Sequence, residues 1–77
     1  LRNSNINVQG RNGMLSVLNG SNSNIEFIEV VALDGKLIGR YDVNSSDNVV
    51  INTGIRSSHV IVRVVADGKV RNYRVKF

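Results

Sequence analysis

The 77-residue chain has no cysteine, no proline and one histidine, with an apolar fraction of 42% and a charged fraction of 21%. This length admits one small domain with a thin core, and the lack of cysteine excludes a disulfide framework or a cysteine-ligated zinc as its staple. The net charge of +4 is unevenly placed: residues 1–55 sum to −1, while residues 56–77 carry Arg56, Arg63, Lys69, Arg71, Arg74 and Lys76 against Asp67 alone.

Thirteen Val and seven Ile stand against two Ala. That balance disfavours helix, because β-branched side chains lose rotamers there and fit a pleated surface better. In chain order, Ile6 to Gln9 alternates apolar and polar as a half-buried strand does. Asn12-Gly13 predicts a hairpin, since both residues tolerate positive φ. Met14 to Leu18 follows as the second strand, with Leu15 and Val17 on one face. Asn19 to Asn24 reads as a polar loop with nothing to bury. Ile25 to Leu33 is the longest apolar run, with Ile28, Val30 and Ala32 facing the core and a bulge near Phe27. The turn Asp34-Gly35 leads into Lys36 to Val43.

Asn44 to Asn48 is a second polar loop, Val49 to Ile51 a short strand, and Thr53 to Ser58 a connection with one apolar plug, Ile55. His59 to Ala66 alternates cleanly, with Val60, Val62 and Val64 inward and His59, Ile61 and Arg63 outward. Asp67-Gly68 predicts a second tight hairpin into Lys69 to Phe77, where Tyr73, Val75 and Phe77 face in. The segments Val30 to Lys36 and Val64 to Lys69 look alike and read as one hairpin solution used twice. Turn signals every 8–12 residues fit a small antiparallel β-sandwich of seven strands.

Candidate chemistry is sparse. His59 is the only usual base, it points outward, and Ser57 and Ser58 beside it are neighbours in sequence rather than parts of a convergent triad. Asp34 and Asp67 serve turns, and Glu26 and Glu29 read as strand-surface charges rather than a carboxylate pair across a cleft. Asp42, Asn44, Asp47 and Asn48 crowd one loop without the ligand alternation of a calcium loop. Two glycosylation sequons, at Asn19 and Asn44, are what so many asparagines and serines produce by chance. No catalytic residue, cofactor or metal is therefore expected, and no apolar run approaches the ~18 residues of a membrane helix. Arg63, Arg71, Arg74 and Lys76 form the one cluster that could serve recognition, read either as an ordinary solvated face or as a patch for a polar or acidic partner. Nucleic acid is disfavoured, because the aromatics that would stack on bases are few and two of them, Tyr73 and Phe77, face the core.

The second half of the chain has a distinctive order of elements: Ile28-Glu29-Val30-Val31-Ala32-Leu33-Asp34-Gly35-Lys36-Leu37-Ile38, then Asn48 to Ile51, then Gly54-Ile55-Arg56-Ser57-Ser58-His59-Val60-Ile61-Val62-Arg63-Val64, then Tyr73-Arg74-Val75-Lys76-Phe77. This pattern, over residues 25–77, resembles the C-terminal sorting domain of type IX secretion cargo proteins. Met14-Leu15-Ser16-Val17 after Gly13 matches an earlier strand of that family more loosely. The family's asparagine-proline entry is replaced by Asn5-Ile6-Asn7-Val8, and Val60 stands where relatives carry tyrosine, so the resemblance is to a divergent member.

The resemblance implies a seven-stranded immunoglobulin-like sandwich over residues 1–77, expected to be the closing piece of a larger protein. It implies a non-enzymatic address that passes through the periplasm to the cell surface or outside. The partners it implies are the outer-membrane translocon and sortase-like surface machinery, with an anionic lipopolysaccharide as a further one. Arg74, Val75, Lys76 and Phe77 are expected to be the recognised end, with Arg63 and Arg71 in support; Gly35 and Gly68 are turn glycines. The competing expectation is an immunoglobulin-like adhesion or spacer module whose basic C-terminal face binds an acidic glycan or protein. The exposed edges of so small a sandwich also admit an edge-paired dimer.

Overall fold

A computed structural model describes residues 6–77 and shows an all-β fold of seven strands. They are β1 (Ile6–Arg11), β2 (Gly13–Asn19), β3 (Ile25–Ala32), β4 (Leu37–Ser45), β5 (Val49–Ile55), β6 (His59–Ala66) and β7 (Lys69–Lys76). Two antiparallel sheets form, one in the order β1-β2-β5 and the other in the order β4-β3-β6-β7. Asn5, part of the expected family entry, lies outside the described residues.

The sheets meet through the inward-facing residues of alternating strands. Leu15 and Val17 of β2 pack against Ile25, Ile28 and Val30 of β3 and Val60, Val62 and Val64 of β6. These eight side chains are fully buried. Ile25 and Ile28 are three residues apart, a spacing that an unbroken strand would send to opposite faces. The register shift between Ile25 and Phe27 inserts one extra residue and returns both to the core. The expected bulge near Phe27 thus has a packing reason.

The hairpins divide. Asn12-Gly13 and Asp67-Gly68 each place two successive residues at positive φ, the backbone of a two-residue type I′ turn. The Asp34-Gly35 turn is different. Gly35 alone is at positive φ there, the Gly35 amide donates to the Ala32 carbonyl, and the Ala32 amide donates to the Lys36 carbonyl. This is a type I turn closed by a glycine bulge, and the extra residue Leu33 explains the change. The similarity of the two segments is therefore not one hairpin solution used twice.

Three further expectations are corrected. The segment after Ile51 is not a free connection: β5 runs on to Ile55, with the register to β2 shifting near Gly13. The Thr53 hydroxyl donates to the Gly13 carbonyl across that shift, and Ile55 packs on the core rim. β4 reaches Ser45, two residues beyond the expected Val43. The stretch Asn19 to Asn24 does bury a residue, since Asn19 ends β2 and is only 9% exposed. Its side-chain amide donates to the Ser23 and Ser46 carbonyls, which ties the β2–β3 loop to the β4–β5 loop.

Candidate functional site

Among the described residues, β7 lies at the edge of the four-stranded sheet, paired on one side only, with β6. The side chains of Tyr73, Val75 and Phe77 turn to the core, and those of Arg74 and Lys76 to the opposite, solvent face. In an antiparallel ladder one residue in two aims its backbone groups at the neighbouring strand. The Phe77 amide donates to the Ser58 carbonyl at 2.9 Å, so Val75, Tyr73 and Arg71 share that inward phase. The N–H and C=O groups of Val70, Asn72, Arg74 and Lys76 then aim at the free edge.

The predicted cluster is divided by this geometry. Arg74 and Lys76 stand opposite Ile61 and His59 on the outer face and form no ion pair among the described residues. Arg63 is on the same face, but its guanidinium lies 3.2 Å from the Glu29 carboxylate. Glu29 also faces Arg40, at 4.0 Å. Arg71 belongs to the other face, in step with Tyr73 and Val75, and does not join Arg74. Val75 is 4% exposed and belongs to the core, so it can meet a partner only through its backbone. Phe77 is half-buried at the rim. Gly35 and Gly68 occupy their turns at positive φ, and no side chain approaches either.

Gly10 shows how closely the terminal strand sits on β1. A β-carbon there would lie 2.8 Å from Val75 and 2.9 Å from Phe77, closer than packed carbon atoms approach. Gly10→Ala is expected to push β1 off β7 and to cost about 1–2 kcal/mol. Chemical denaturation checks this; an unchanged midpoint would mean that the two strands do not touch.

The outer face of the four-stranded sheet carries an apolar layer that sequence reading missed. Val31 and Val65 are 7% and 9% exposed yet stand outside the main core. In register, Val31 lies between Leu37 and Ile61, and Val65 between Phe27 and Val70. The Arg40 guanidinium covers the Phe27 ring at 3.9 Å, a cation–π contact. The signal was available: Val31 and Val65 are apolar at positions out of phase with the core alternation. An open cleft of about 170 Å³ is lined by Asn12, Arg56, Ser57 and Phe77, below the several hundred cubic ångströms usual for a ligand pocket. Among the described residues no three His, Asp or Glu side chains converge on a metal-sized space, and no helix is long and apolar enough to cross a membrane.

Fold and site together define an all-β, two-sheet domain with a basic edge strand. No protein-family model and no curated protein matches the chain.

Proposed function

We propose that the chain is a non-catalytic sorting domain of the type IX secretion kind, with its two sheets in an immunoglobulin-like arrangement. The sheet orders β1-β2-β5 and β4-β3-β6-β7 support that arrangement, since the consecutive strands β2 and β3, β4 and β5, and β5 and β6 lie in opposite sheets. The observation that carries the functional reading is β7 itself. It combines a free backbone edge with two outward cations, Arg74 and Lys76, that have no partner in ion pairing among the described residues. Such an edge can accept an added strand, and the cations steer an acidic partner toward it. In this reading the outer-membrane translocon reads β7, and the domain passes from periplasm to cell surface. Sortase-like machinery and an anionic lipopolysaccharide would act there.

Deleting residues 73–77 would be a poor test, because it removes Val75 from the core. The double reversal Arg74→Glu/Lys76→Glu spares every core side chain. Fused to its cargo, this variant is expected to accumulate in the periplasm while the isolated domain melts as the parent does. Undiminished surface delivery would overturn the proposal. The same cations favour a second reading, an adhesion or spacer module for an acidic glycan. Its signature would be normal delivery of the double variant together with lost retention on heparin.

A further inference from the structure

Among the described residues the two sheets have four edge strands, and three of them carry charge. β1 contains Arg11 and is close to β7 at Gly10; β4 contains Arg40 and Asp42; β7 contains Lys69, Arg71, Arg74 and Lys76. Charge on an edge strand is the ordinary protection against unwanted pairing. β5 has none: Val-Val-Ile-Asn-Thr-Gly-Ile contains no Asp, Glu, Lys, Arg or Pro. Among the described residues it pairs only with β2, and Val50 on its outer face is 64% exposed.

The phase of the ladder says which groups are free. The two-residue Asn12-Gly13 turn makes Arg11 and Met14 a hydrogen-bonded pair. Met14, Ser16 and Leu18 therefore bond toward β1, and Leu15 and Val17 toward β5. Ile51 and Val49 are the register partners of Leu15 and Val17, so the backbone groups of Val50 and Asn52 aim at the open edge. The irregularity at Thr53 and Gly54 limits the regular edge to the first half of β5.

We infer that β5 is a self-pairing edge, through which two copies of this chain join antiparallel into one continuous sheet. The occupant is a second copy because the edge complements itself. Centred on Ile51, the pairing sets Val50 of each copy against Asn52 of the other, and no like charges meet. It also brings the exposed Asp47 end of one copy to the exposed Arg56 end of the other. On the outer face, Val50 lies beside Ser16, between Met14 and Leu18 of β2, which are 37% and 47% exposed. Pairing joins these apolar strips across the two-fold axis. A β7–β7 pairing would instead bring Lys69, Arg71, Arg74 and Lys76 together. The inference is independent of the sorting reading, since a β5 dimer leaves β7 free.

So short an edge should give weak association, on the order of 10–100 µM. Sedimentation equilibrium of the whole chain across that range is expected to show its mass rise from 8.5 kDa toward twice that value. Val50→Lys, at a site open enough to accept lysine, should stay monomeric throughout with an unchanged melting midpoint at low concentration. Asn7→Lys on β1 should self-associate like the parent chain. Amide exchange at Val50 and Asn52 should slow with rising concentration, while that at Arg74 and Lys76 should not. A monomer at every concentration, a Val50→Lys variant that still associates, or protection on β7 instead of β5 would each overturn the inference.

Discussion

Leu15→Ala is expected to unfold much of the population near the temperature at which the parent chain is still native. Leu15 is fully buried at the centre of β2, between Gly10 of β1 and Ile51 of β5 in register, and faces the four-stranded sheet. Removing its side chain loses the transfer energy of the lost carbons and leaves a cavity, together about 3–5 kcal/mol. A chain of this length has a total stability of roughly 4–12 kcal/mol, with neither disulfide nor proline to restrict the unfolded state. The thermal midpoint should fall by roughly 12 °C or more. Leu18→Ala is the control, since Leu18 lies on the same strand but is 47% exposed; its cost should stay within about 0.5 kcal/mol. Equal effects of the two changes in calorimetry would contradict the face assigned to β2.

Asn19→Ala is expected to cost about 2–3 kcal/mol, a large effect for a residue in an asparagine-rich stretch. Its side-chain amide donates to Ser23 at 2.8 Å and to Ser46 at 3.1 Å. Its side-chain oxygen accepts from the Ser21 amide and hydroxyl, and its own amide donates to the side-chain oxygen of Asn48 at 2.8 Å. Alanine leaves two carbonyls without their donor and uncouples two loops that cross between the sheets. Hydrogen exchange should therefore speed up in both loops, while the centre of β6 stays protected. Asn24→Ala serves as the comparison; if it destabilised as much as Asn19→Ala, the clamp would not be the cause. The same contacts occupy the nitrogen that the Asn19 sequon would need for a glycan.

The strands were legible where a single alternation decided them. In β6, Val60, Val62 and Val64 alternate with His59, Ile61 and Arg63, and the structure places each on its expected face. Asn12-Gly13 and Asp67-Gly68 were legible because positive φ at two successive positions selects few residue types. The strand Val49–Ile55 is legible in the sequence only as far as Ile51, because Thr53 and Gly54 look like a turn and their irregular pairing depends on Gly13, a partner far away in sequence. Asn19 looked like any other loop asparagine because its value comes from the carbonyl of Ser46, on a different loop.

The basic cluster shows the same division. Composition by itself determined that the chain is all-β, held without staples, and positively charged toward Phe77, because these properties follow from residue type and local spacing. It could not determine which cations are available. Arg63 is neutralised by Glu29, 34 residues away, Arg71 falls on the core-facing phase, and only the sheet order makes β7 an edge. Alternation along the last strand already turns Arg74 and Lys76 outward. Pairing partners and edges, however, are properties of strands brought together from distant parts of the chain, so only the tertiary structure could decide that these two cations lie beside an edge of the sheet, and that β5 is the edge without charge.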